Sequence, residues 1–214
     1  MVFRSFKYRR FSALFLDLVL VSIVTSLLFS NSISNPYYND YLSISEEYTK
    51  IITEVSTVNT QSMDDMQNYI NRVSDISYRY SKVNIFYCIW YVVLCFLYFV
   101  LFQYSTGGKT LGKKFYKLRV CNKEDNKKIS IGRLIGKTLL TGEIYLFNGI
   151  VLVALLDIVG ILLISDATVF FFYTALCNLI GIVIEVAMIV SFFKNKNKET
   201  IADKIFKTKV IEVK

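Results

Sequence analysis

The chain has 214 residues, 54% of them hydrophobic, with 25 Lys and Arg against 17 Asp and Glu and a net charge of +8. A soluble domain is about 45–50% apolar; here the excess sits in long runs, which excludes an ordinary globular domain and points to an integral membrane protein. There is no histidine, which removes imidazole bases, His metal ligands and His haem ligation together.

The first apolar run covers about 11–30, with Asp17 as its only charge. It is too long for the core of a typical signal peptide and carries a charge, so it reads as a retained helix. The segment 31–83 is polar and contains the only proline, Pro36. Within it Ile44, Tyr48, Ile51, Ile52, Val55 and Val58 fall near helical spacing, as do Met66, Tyr69, Ile70, Val73, Ile76 and Tyr80. Two packed helices running into the flanking spans are expected. The second apolar run covers about 84–104 and is uncharged. Its Tyr87, Trp90, Tyr91, Tyr98 and Tyr104 supply candidates for interfacial aromatic belts. Residues 105–142 divide into an amphipathic stretch, 107–118, and a predicted β-hairpin in which LRVCN and KISI flank Lys123–Lys127. A third run, about 144–164, holds Asp157, and a fourth, about 168–193, holds Glu185; the turn Ser165-Asp166-Ala167 joins them as a hairpin. The tail 194–214 ends in the β-like TKVIEVK, which has the pattern to pair with the predicted hairpin.

Each run is near the ~20 residues that cross a ~30 Å hydrocarbon core. Basic residues number four in 1–10, ten in 105–142 and seven in 194–214, against four in 31–83, where seven acidic residues lie. The positive-inside rule therefore assigns both termini to the cytoplasm of a cell membrane protein. The expected fold is an all-α membrane protein: a four-transmembrane-helix bundle with an extracellular helical hairpin and a small cytoplasmic β-like element. The basic segments meet anionic lipid rather than nucleic acid.

The chemistry-bearing candidates are few. Gly107–Lys114 reads GGKTLGKK, close to a phosphate-binding loop, but Lys114 stands where the Mg²⁺-binding hydroxyl is required and an apolar span precedes it. Cys88, Cys95, Cys121 and Cys177 show no CxxC spacing and none falls in 31–83, so they read as structural thiols. No metal site, cofactor or enzymatic site is expected. The informative groups are carboxylates inside apolar runs, each costing at least ~2.5–3.5 kcal/mol at mid-bilayer on insertion scales. These are Asp17, Asp157 and Glu185. Thr174, Asn178 and Gly181 lead to Glu185 along one helix face. Ser22, Ser26 and Ser30 read as a close-packing stripe. Arg10 and Asp17 share a face but stand roughly 10.5 Å apart along the axis, so each needs another partner. Asp203 in the tail is the candidate for Arg10.

At these residues the chain resembles the RDD family of small bacterial membrane proteins. Arg10-Phe-Ser-Ala-Leu-Phe-Leu-Asp17 is similar to its R-x-x-A-x-x-x-D opening, Thr106–Val120 to its T-L-G-K-x-x-x-x-L-R-V segment, and Thr200–Val210 to its closing D-x-x-x-x-T-x-V, with Asp203 as the second Asp. The resemblance implies a multi-pass membrane protein and transport of a ligand or cation. The function expected is movement of a cation, proton or small ligand through Asp17, Glu185 and Asp157, with Arg10 and Asp203 at the inner mouth. The alternative is a non-enzymatic accessory subunit that binds a membrane protein partner or a second copy of itself.

Overall fold

The computed structural model describes residues 6–55, 63–140, 151–194 and 199–213. Helix α1 runs Phe6–Phe29, uninterrupted by glycine or proline. Its buried residues Ala13, Asp17, Val21, Thr25 and Phe29 recur at every fourth position, so one narrow face packs inward. The predicted serine stripe is not that face: Ser22 is buried, but Ser26 and Ser30 are exposed. A turn ends α1, and the wholly buried Asn35 holds it. Asn35 Nδ2 donates to the Phe29 carbonyl at 3.2 Å, and its Oδ1 accepts from Tyr37 N at 3.2 Å. One side chain thus closes α1 and opens α2, Tyr38–Val55.

Helix α3 spans Met63–Ser105, 43 residues, widening to a π-helical stretch at Phe96–Phe102. Its first half forms a hairpin with α2. Tyr48 stacks on Tyr80 at 4.9 Å, Val73 and Ile76 are buried, and Arg79 grips Glu47 with bonds of 3.1 and 3.0 Å. On α3 the expected stripe is half-buried or buried at Tyr69, Ile70, Val73, Ile76 and Tyr80, while Met66 is exposed. Val58 lies outside the described residues. The second half of α3 carries Tyr91, Val92, Cys95 and Phe99 into a core shared with Leu18 and Val21 of α1.

The chain continues through α4 (Leu111–Phe115), β1 (Leu118–Asn122), α5 (Ile131–Leu140), α6 (Val151–Leu163), α7 (Ala167–Lys194), α8 (Ile201–Ile205) and β2 (Thr208–Glu212). Among the described residues three helices, α1, α3 and α7, are long and apolar enough to cross a membrane. Helix α6 has 13 residues, about 20 Å at 1.5 Å per residue, short of a ~30 Å core. Residues 144–150 of the predicted third span lie outside the described residues. Tyr78 packs on Phe170 at one end, while Gln103 and Phe192 border one cavity at the other, so α3 and α7 run in the same direction.

The predicted β-hairpin is corrected. A turn does form, with Asn122 N donating to the Lys127 carbonyl at 3.0 Å, but residues 128–130 are not a strand. Strand β1 pairs instead with β2, antiparallel, with Val120 opposite Val210. The reason is an internal repeat. Thr110–Val120 (TLGKKFYKLRV) and Thr200–Val210 (TIADKIFKTKV) align position for position. In each, a threonine caps a five-residue helix and a lysine in the left-handed region leads into the strand, Lys117 at φ 55° and Lys207 at φ 50°. The two units meet about a local two-fold axis between Val120 and Val210. The bonds beyond the ladder obey it too: Lys123 N to Lys207 O at 2.9 Å and Val213 N to Lys117 O at 2.8 Å. Each unit follows a long apolar helix, so α3–α4–β1 and α7–α8–β2 form an internal repeat.

Replacing the buried Asn35 amide removes both bonds at the α1–α2 corner. Asn35→Ala is expected to lower stability by about 1–3 kcal/mol, the cost of unsatisfied buried partners, read as a fall in the detergent melting temperature.

Candidate functional site

Two carboxylates organise the end of the bundle where α1 begins. Asp17 has no exposed surface. The hydroxyl of Tyr98, from the π-helical stretch, donates to its Oδ1 at 2.6 Å, and Gly112 N donates to the same oxygen at 2.7 Å. Thr110 Oγ1 bonds to Oδ2, and Lys113 Nζ stands 3.9 Å from it. Tyr98 also accepts from Leu111 N at 2.9 Å. Helix α4 is thereby docked by its N-terminal turn onto α1. A Cβ at Gly112 would lie 2.2 Å from the Ala13 carbonyl oxygen, so only glycine permits this approach.

Asp203 is equally buried and occupies the position equivalent to Lys113 in the repeat. Arg10 pairs with its Oδ2 and Lys137 Nζ with its Oδ1 at 2.5 Å. Thr208 Oγ1 donates to Oδ1 at 2.9 Å, and Thr200 donates to Oδ2 through its backbone N and its hydroxyl, both at 3.0 Å. Burial alone would raise the Asp203 carboxyl; Lys137 and Arg10 outweigh it and hold the group well below the usual carboxylate range. The two lysines are also shifted down, which for them favours the neutral form. Burial lowers Lys137, against the pull of Asp203, and burial lowers Lys113 to about 8, against the pull of Asp17.

The repeat therefore presents opposite charges to one helix. The first unit brings Lys113 to Asp17, and the second brings Asp203 to Arg10. The expected Arg10–Asp203 pair is present, and Arg10 and Asp17 do not bridge each other. Sequence reasoning missed Tyr98, Thr110, Lys113, Lys137 and Thr208. The doubled T-x-x-x-K pattern, Thr110 to Lys114 and Thr200 to Lys204, was a legible signal for Thr110, and within it Lys113 stands where the second copy has Asp203. Nothing in an apolar run marks Tyr98, and nothing local ties Lys137 to a residue in the tail.

Glu185 is set apart from Asp17. It is buried but borders a largely apolar cavity of about 140 Å³ together with Arg10, Gln103, Lys113 and Lys137. Asp17 lies behind that wall rather than in it. Asp157 lies toward the other end, half-buried, on a second cavity of about 330 Å³ shared with Cys88, Thr174 and Asn178. The polar stripe of α7 touches both spaces. Between them a Cβ at Gly181 would lie 2.9 Å from Val153 Cγ2, so α6 and α7 close on each other there.

This is a helical membrane protein whose N-terminal helix is clasped at one end by two buried carboxylate clusters. Residues 7–206 match the RDD family, and the chain belongs to that family. No curated protein and no solved structure matches it.

Removing Arg10 leaves a buried carboxylate with one cation fewer. Arg10→Met is expected to destabilise the protein by about 3–5 kcal/mol, the cost of breaking a buried pair, measured by thermal unfolding in detergent.

Lys113 gives a pH test. Its folded value, about 8, lies below the ordinary 10.5, so between these the unfolded chain binds more protons and stability rises with pH. Melting temperature followed from pH 8 to 10 should show that rise, and Lys113→Met should flatten it.

Proposed function

We propose that this protein is a transporter of a small cation, with both termini cytoplasmic and residues 144–164 completing a fourth crossing. The charge count supports the orientation, since 21 of the 25 Lys and Arg fall in 1–10, 105–142 and 194–214. One observation carries the transport reading: a single face of α7 borders two cavities at different depths, each with one acidic residue, Glu185 in one and Asp157 in the other. Carboxylates kept inside a bilayer bind cations or protons in pumps and carriers. The contact between Gly181 and Val153 stands where a path between them would be gated.

Arg10, Asp17 and Asp203 take a different part in this reading. Their oxygens and nitrogens are engaged by neighbouring donors and acceptors, and Asp17 and Asp203 do not border either cavity. They position the α4 and α8 units at the inner mouth rather than bind the moving ion. The accessory-subunit alternative differs in outcome: it predicts a stoichiometric partner in a pull-down and no flux from purified protein.

Purified wild-type protein in proteoliposomes should move protons in response to an imposed cation gradient. Glu185→Gln and Asp157→Asn should each slow that flux at least ~10-fold, equivalent to about 1.4 kcal/mol on the barrier. Wild-type flux from both variants would sink the assignment of these carboxylates.

A further inference from the structure

The cavity holding Asp157 has the features of a binding site rather than a packing defect. Its volume, about 330 Å³, is more than twice the 140 Å³ at the Arg10 end. Its walls come from α2, α3, α6 and α7, with hydroxyl and amide groups such as Ser81, Asn84 and Thr174. Voids left by imperfect packing are apolar and small; polar, roomy ones hold water or ligand. Asp157 is the only charged residue among those that line it.

The state of that carboxylate is the decisive detail. Its Oδ1 is cut off from solvent and has no hydrogen-bond partner among the described residues. Asp17 and Asp203, by contrast, are met by several donors each. A buried carboxylate oxygen without a donor is costly, and in a native protein such a group calls for a reason, a functional role or a bound ion among them. The rings of Tyr48, Tyr80 and Phe171 border the same space. Aromatic faces attract alkylammonium groups, the basis of aromatic cages for quaternary amines.

We propose that this cavity binds a small organic ammonium ion, its charge on Asp157 and its alkyl groups against the surrounding rings. One carboxylate calls for one positive charge. A divalent metal takes about 6–8 oxygen ligands, typically with several carboxylates, and the described residues hold no group of three or more acidic or thiol ligands. A bare alkali ion would fill only a small part of the volume. The α7 wall, at Ala175 and Asn178, is exposed, so the cavity opens sideways. The inference rests on the reading of Asp157 as a ligand group and adds the chemical class; binding and movement are separable by experiment.

The test uses full-length protein in detergent, titrated with choline chloride, with the uncharged tert-butyl isostere of choline, and with sodium chloride. Choline is expected to raise the melting temperature saturably, and the other two are not. Asp157→Asn should weaken choline binding at least ~10-fold, equivalent to about 1.4 kcal/mol. Should Asp157→Asn fail to fold, Ala175→Phe keeps the carboxylate and fills the open wall, and it should abolish the shift. No choline shift in the wild type, an equal shift with the isostere, or unweakened binding in the folded cavity variant overturns the proposal. Asp157-dependent choline binding in a protein without flux removes transport and leaves this site standing. Cation flux without choline binding does the reverse.

Discussion

A carboxylate withdrawn from water must be met by donors, and Asp203 is met from four parts of the chain. Arg10 comes from α1, Lys137 from α5, Thr200 from the cap of α8 and Thr208 from β2. Removing any one leaves a buried charge less well satisfied, and that penalty exceeds what a surface pair is worth. The tail is therefore not an appendage. It fixes the start of α1 relative to α5 and presents β2 to β1. Asp17 does the same for the preceding unit, with Tyr98, Thr110 and Gly112 as its donors.

The internal repeat explains why two such clusters exist. Each unit ends in a threonine-capped turn of helix and a strand, and the strands close on each other about a local two-fold axis. Helix α1 lies across both units and breaks the symmetry by its charges. It meets a lysine from the first unit with Asp17 and an aspartate from the second with Arg10. Arg10, Asp17 and Asp203 thus act as one device, an N-terminal helix keyed by charge to two related halves. Arg10 also lies 5.4 Å from the centroid of Phe192 on α7, which extends the lock to the last long helix.

The acidic residues of α6 and α7 follow a different rule. Glu185 and Asp157 border open space, and Asp157 keeps an oxygen without a donor among the described residues. In a bilayer the same group that would be costly facing lipid is tolerated where it faces the bundle interior or a cavity. The division between carboxylates enclosed by donors, Asp17 and Asp203, and those that border cavities, Glu185 and Asp157, separates frame from candidate site in this protein.

The long apolar runs determined by themselves that this is a membrane protein, because only burial in lipid explains them. Local spacing likewise determined the α2–α3 hairpin, since Val73, Ile76 and Tyr80 lie on one helical stripe. Three short motifs were enough to place the chain in its family. The Arg10–Asp203 pair was legible too, because neither group had a local partner. What only the tertiary structure decided are the choices between partners distant in sequence. Strand β1 had an adjacent candidate in residues 128–131 and took β2, because the repeat offers a symmetric ladder and both ends of it are bonded. Asp17, Asp157 and Glu185 look alike as single charges in apolar runs. Their surroundings separate them: Asp17 is filled with donors, and the other two border cavities. A carboxylate's role is set by what meets it, and the groups that meet Asp17 lie some eighty to ninety-five residues away in the chain.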